Sequence, residues 1–83
     1  MTHLKKPPRS VRRQDLRFKI ETERETDGRW IAEIPEVPGA LAYGASVEEA
    51  KARAYALALY AIADDVEKSN RIPDSIVILP ASA

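Results

Sequence analysis

The residues of this chain best suited to chemistry are two carboxylates. Glu21 and Glu23 stand two positions apart, so they share one face of the strand that alternating apolar residues predict over 16–22. Paired carboxylate oxygens are hard ligands of the kind that divalent metal ions prefer. These two residues are therefore the candidates for a metal site.

The other acids do not complete such a site. The segment SIVIL, residues 75–79, contains no acid, and Asp74 precedes it. Asp64 and Asp65 fall near the predicted end of a helix and should point to solvent, as charged side chains generally do. We therefore predict no metal site and no cofactor.

Nucleophilic catalysis also lacks its residues. His3 is the only histidine and the sequence has no cysteine, so no serine has a positioned base. Gly39 and Gly44 do not have the spacing of a phosphate-binding loop and are interpreted as turn residues. We predict that the protein is not an enzyme.

Charge divides the chain into two parts. Residues 1–13 contain five Lys or Arg and no acid, whereas residues 14–83 contain eight Lys or Arg against thirteen Asp or Glu, a net charge of −5. We predict a flexible basic tail over 1–13 and a single domain over 14–83. The tail could alternatively contact nucleic acid, through Lys5, Lys6, Arg9, Arg12 and Arg13. With no apolar run long enough to span a membrane and no signal peptide, we expect a cytoplasmic protein.

Apolar alternation predicts the first strands. Leu16, Phe18 and Ile20 should face the core together with Trp30, Ala32 and Ile34 of a second strand over 29–34. Asp27-Gly28 between them is expected to supply the positive φ angles of a tight hairpin turn. A short third strand is predicted over 40–43.

A long helix is predicted from Val47 to about Lys68. Ser46 and Glu49 have the spacing of a capping box. The core-facing stripe is expected to contain Val47, Ala50, Ala54, Leu57, Ala58 and Ala61. The stretch AYALALYAIA, residues 54–63, is apolar all the way round, which indicates a second buried face.

These elements predict an α+β fold in the order β-β-β-α-β. A right-handed crossover lays strand four, residues 75–80, parallel to strand one in a sheet of order 3-2-1-4. Strand four is then an apolar edge, so we expect a homo-oligomer, dimer or tetramer, or a protein partner that covers it. The predicted interface residues are Tyr55, Leu59, Tyr60, Ile76 and Ile78.

Residues 30–50 carry a further pattern, with WIAEIPEVPG at 30–39, Gly44, and ASVEEA at 45–50. It resembles the HicB-like antitoxin family, whose pattern is aromatic-x-Ala-x-hydrophobic-Pro-x-hydrophobic-Pro-Gly followed by G-x-T/S-x-E-E-A. The resemblance extends over residues 16–80. The matching motif positions are Pro35, Pro38, Gly39, Gly44, Ser46, Glu48, Glu49 and Ala50.

The resemblance implies a truncated ribonuclease H-like domain and an antitoxin role in a type II toxin–antitoxin system. Such antitoxins mask HicA, a small basic ribonuclease toxin. Two departures stand out, because fuller members append a C-terminal DNA-binding domain beyond the point where this sequence stops, and often have cysteine where Ala40 stands. Regulation of an operon through such a domain is therefore not expected.

Two alternatives stay open beside the antitoxin hypothesis. One is a nucleic-acid-binding regulatory protein that uses the basic tail. The other is a residual metal-dependent nuclease, which the ribonuclease H-like outline suggests through Glu21 and Glu23.

Overall fold

The computed structural model describes residues 15–80, which form a four-stranded mixed sheet and one helix. The elements in chain order are β1 (Asp15–Arg24), β2 (Trp30–Glu33), β3 (Leu41–Gly44), α1 (Val47–Ser69) and β4 (Ser75–Pro80). The sheet order is β3-β2-β1-β4, antiparallel except for the parallel pair β1 and β4. The predicted α+β topology is confirmed, with β1 longer than predicted at both ends.

The turn between β1 and β2 differs from the predicted one. Gly28 has a φ of +93°, whereas Asp27 does not have a positive φ. The Gly28 N–H donates to the Glu25 carbonyl at 2.9 Å, and the Glu25 N–H donates to the Arg29 carbonyl at 2.7 Å. In this longer loop, which closes on a glycine bulge, one left-handed residue suffices.

Asp27 stabilises the same turn. Its carboxylate accepts hydrogen bonds from the Arg29 backbone N–H at 3.0 Å and from Arg29 Nε at 2.8 Å. The backbone bond from Arg29 is the main cause that holds the pKa of Asp27 below its usual value, since it favours the charged form. The carboxylate thereby fixes the start of β2.

The proline-rich loop between β2 and β3 contributes to the core as well as reversing the chain. Ile34, Val37 and Ala40 are buried, and successive N–H to carbonyl bonds of 2.9–3.0 Å link these three residues. Gly39, at a φ of +87°, makes the reversal possible. The loop is therefore a packed element, which its interpretation as a turn alone did not anticipate.

The capping box at the start of α1 is confirmed with one difference. Ser46 Oγ accepts from the Glu49 N–H at 3.1 Å. The Glu49 carboxylate accepts from the Ala45 N–H at 2.7 Å, one residue before the cap position that a standard box uses. At the other end Asn70 adopts a φ of 60° and its N–H donates to the Val66 carbonyl, which ends the helix.

Alanines form most of the contact between α1 and the sheet. The buried residues of the helix are Ala50, Ala54, Ala58 and Ile62, each four positions after the last. Placing Leu57 in the core stripe is wrong, because its side chain is 39% exposed. In a helix each residue turns about 100° from the previous one, so Leu57 lies about 100° away from Ala58, toward solvent.

The helix lies over one half of the sheet. It packs mainly on β3 and β2, less on β1, and has no comparable contact with β4. Ile20 and Ala32 are buried beneath it, and three half-buried side chains pack at the margin of this core, namely Phe18, Trp30 and Ile78. The β4 side of the sheet is therefore only partly covered.

We predict that Gly44→Ala destabilises the fold by about 2 kcal/mol. The backbone of Gly44 does not need a positive φ, but an added Cβ would lie 2.5 Å from the Ala50 backbone nitrogen, so the helix would have to move away from β3. Urea unfolding measures the change. The control is Ala52→Ser, which adds one atom at an exposed helix position; equal stability of the two variants would contradict the prediction.

The corrected position of Leu57 predicts unequal costs for two truncations. Ile62 is 8% exposed, so Ile62→Ala should lower the free energy of unfolding by about 2–4 kcal/mol. Leu57→Ala should cost about 1 kcal/mol or less because its side chain is largely outside the core. Chemical denaturation of both variants under the same conditions measures the difference. A larger loss of unfolding free energy for Leu57→Ala than for Ile62→Ala would contradict the exposed position of Leu57.

Candidate functional site

An apolar groove runs along the second half of α1 on the side of β4. Its volume is about 730 Å³, and its walls come from the helix and from the segment that leads into β4. The lining residues are Leu59, Ile62, Ala63, Val66, Glu67, Ile72, Pro73 and Ile76. Only one of these side chains is charged, so the groove is an uncovered apolar surface within residues 15–80.

The groove brings together two of the five predicted interface residues, Leu59 and Ile76. Tyr55 precedes Leu59 by four positions on the helix and so lies on the same side, with its side chain exposed. Ile76 stands opposite Leu16 on β1 and is 42% exposed. These three residues form one continuous exposed surface with the groove.

The other two predicted interface residues are not part of this surface. Tyr60 is 73% exposed and is rotated about 100° from Leu59 around the helix axis. Ile78 pairs with Phe18 in the sheet and packs against the core as a half-buried side chain. Helical spacing marks both tyrosines as outside the core, but it does not say which of them shares a side with β4.

The two edge strands of the sheet differ in how they are protected. At β3, Arg53 Nη1 donates to the Tyr43 carbonyl at 2.8 Å, and Arg53 Nη2 is held by Glu49 at 2.9 Å. At β4, no pairing with the free edge occurs within residues 15–80. The other side of β4 pairs with β1, and a side-chain bond joins the starts of the two strands. Ser75 Oγ donates to the Asp15 carboxylate at 2.9 Å.

The face of the sheet opposite α1, here called the outer face, carries a group of acids. Glu21 lies opposite Glu33 and Glu23 lies opposite Ile31 in the pairing of β1 with β2. Together with Glu25 and Thr22 they line a shallow pocket of about 160 Å³. Within residues 15–80 none of these four glutamates forms an ion pair, and three of them, Glu21, Glu23 and Glu33, are exposed.

Apolar and aromatic side chains border these acids on the β3 side. Leu41 lies opposite Glu33 and Tyr43 lies opposite Ile31, and both are more than a third exposed. The Arg29 guanidinium stacks on the Tyr43 ring at 4.3 Å from its centroid, which holds the ring in place. The outer face thus combines negative charge with an exposed apolar border over β2, β3 and the second half of β1, whereas Arg17 and Lys19 lie on the same face beside β4.

The motif residues predicted from the sequence lie in or beside the connections between elements. Pro35 and Pro38 lie in the packed loop between β2 and β3, beside Gly39. Gly44 ends β3 where the backbone of Ala50 approaches it most closely. Pro35, Pro38 and Gly39 therefore connect β2 to β3, and Gly44 permits the close approach of α1 to β3.

The carboxylates considered for metal binding do not converge. In the part of the chain that the structure describes, no three His, Cys, Asp or Glu side chains come together in a way that could hold a metal ion. Asp64 forms an ion pair with Lys68 at 3.1 Å on the exposed side of α1. His3 and the basic residues proposed for nucleic acid, Lys5, Lys6, Arg9, Arg12 and Arg13, lie outside the described residues, as does the predicted tail itself.

The fold and surfaces define a small α+β protein whose exposed features are an apolar groove and an acidic sheet face. No helix among residues 15–80 is long and apolar enough to cross a lipid bilayer. Comparison with protein-family models, curated proteins and solved structures found no match to this chain.

Proposed function

We propose that this chain is an antitoxin-like protein-binding module of a type II toxin–antitoxin system that acts in the cytoplasm. Its partner would be a small basic protein of the HicA-like ribonuclease class, masked through the outer face. The proposal assigns binding and no catalytic step. Its support is the resemblance of residues 30–50 to the HicB-like pattern together with the chemistry of the outer face.

The unpaired carboxylates of the outer face carry the proposal. Glu21 and Glu33 are direct neighbours on adjacent strands, and like charges in this position destabilise a sheet. Neither has an ion-pair partner within residues 15–80. A Lys or Arg side chain of a basic partner would relieve this repulsion, so binding such a protein is favoured over binding an acidic one.

The apolar border of the outer face would add contact area, and so affinity, that charge alone would not provide. Complementary charge mainly raises the rate of encounter and is weakened by salt. Leu41 and Tyr43 offer apolar and aromatic area beside the carboxylates, and tyrosine is enriched at protein interfaces. A protein surface fits this combination better than a phosphate backbone does, since residues 15–80 carry eight basic against thirteen acidic side chains.

We propose in addition that the protein is a homo-oligomer. The groove leaves apolar side chains exposed, Leu59 and Ile72 among them, and an exposed apolar surface of this kind is typical of an association site. A small domain also gains stability when association buries such surface. The groove and the outer face lie on opposite sides of the sheet, so self-association and partner binding need not compete.

Co-expression with a neighbouring reading frame that encodes a small basic protein tests the antitoxin proposal. We expect the two proteins to copurify and growth arrest by the basic protein to be relieved. The double variant Glu21→Gln/Glu33→Gln should weaken the complex roughly tenfold, which corresponds to about 1.4 kcal/mol. Titration by calorimetry at two salt concentrations measures the affinity and its charge dependence.

The matched control is Asp64→Asn/Asp65→Asn, which changes the net charge equally on exposed positions of α1 outside the groove. This variant should bind nearly as well as the unchanged protein. Equal weakening by both variants would mean that only net charge matters, and failure of any small basic neighbour to copurify would reject the antitoxin proposal.

A further inference from the structure

Within residues 15–80 the free edge of β4 has few of the features that normally prevent strands from pairing between molecules. Edge strands are usually protected by charged side chains, by bulges, by proline or by a covering element. β4 reads SIVILP and has no charged residue, and its only proline is the last residue. The opposite edge, by contrast, is occupied at Tyr43 by the Arg53 guanidinium.

Exposed apolar side chains flank this edge on both faces of the sheet. Ile76, on the helix side, is 42% exposed, and Leu79, on the outer side, is 49% exposed. The groove opens beside Ile76, so the apolar surface continues from the strand to the helix. Surface of this kind favours an occupant that supplies both a strand and apolar side chains.

We propose that the occupant is a second copy of this chain, with the two β4 strands paired antiparallel about a two-fold axis. The pairing would join two four-stranded sheets into one sheet of eight strands. It rests on the self-association proposed above and names the surface that performs it. It does not depend on the identity of the basic partner.

Self-complementarity favours a second copy over another occupant. In a two-fold interface each residue contacts its own counterpart or the counterpart of a neighbour, so a charged strand would place like charges together. β4 meets no such repulsion. The alternating side chains of the two strands would place Ile76 and Leu79 beside apolar residues of the other copy on the two faces.

The groove would add buried surface area to the dimer interface beyond what the strand edge provides. A stable interface buries roughly 800 Å² on each partner, more than one six-residue strand edge provides. Antiparallel pairing would bring the groove of one copy toward the β4 strand of the other, and Leu59 and Ile72 would then be covered. The interface would contain few charges, because Glu67 is the only charged residue that lines the groove.

Single cysteines test the register, because the sequence has no cysteine of its own. Variants Ser75→Cys, Ile76→Cys, Val77→Cys, Ile78→Cys and Leu79→Cys are oxidised, with Tyr60→Cys as the control. Opposed residues of antiparallel strands have Cα atoms about 5 Å apart, within disulfide range, whereas residues two positions from the axis lie about 14 Å from their own counterparts. We expect one position, or two adjacent ones, to cross-link strongly.

Hydrogen exchange on the unchanged protein gives a test without substitutions. The amides of β4 that point away from β1 should be protected at high protein concentration and lose protection on dilution, while those of β3 should not change. Leu79→Lys should raise the dissociation constant of the dimer at least tenfold, and Tyr60→Lys should leave it unchanged. Circular dichroism checks that each variant is folded.

The possible outcomes separate the two proposals. A dimer by sedimentation that shows no cross-link peak in β4 overturns the strand pairing and leaves self-association standing. A monomer at every concentration overturns both. Protection of the outward-pointing β4 amides that does not depend on concentration assigns the free edge to a segment of the same chain. Protection of these amides that appears only with the basic protein assigns the edge to that partner. Either result overturns the proposal.

Discussion

The close approach of α1 to β3 and β2 is the constraint on which the rest of this structure depends. Ala50, Ala54 and Ala58 are fully buried, and Gly44 has no space for even a methyl group. Small side chains permit this short distance, but they bury little apolar area each. Ile34 is the only large side chain that is completely buried among the described residues.

A core built largely of alanine has a direct consequence for the surface. The larger apolar side chains of α1 project sideways, where Leu59 and Val66 form one wall of the groove. The helix is centred over β2 and β3, so β4 is attached to the sheet mainly through β1. The apolar strand β4 is therefore the one least covered by the helix, and it leaves apolar surface that association would bury.

The sheet separates two exposed surfaces that differ in chemistry. The helix side has the groove and the outer side has the unpaired glutamates, bordered by Leu41 and Tyr43. Pro35, Pro38 and Gly39 keep the connection between β2 and β3 compact and packed into the core. The rigid bend thus packs beside Phe18 on the helix side of the sheet, and the capped helix start fixes where α1 begins.

Local rules determined much of this fold from the sequence. Alternation predicted the strands, Ser46 with Glu49 predicted the start of α1, and the handedness of the crossover predicted the sheet order. These signals act between residues close in the chain or follow from chain geometry. The lateral position of α1 on the sheet is a different matter, because it depends on side-chain volumes of elements far apart in sequence. That position alone decided that Leu57 is exposed, that Ile62 is buried, that Leu59 and Ile76 share a groove while Tyr60 does not, and that Arg53 occupies one edge of the sheet and leaves the other open.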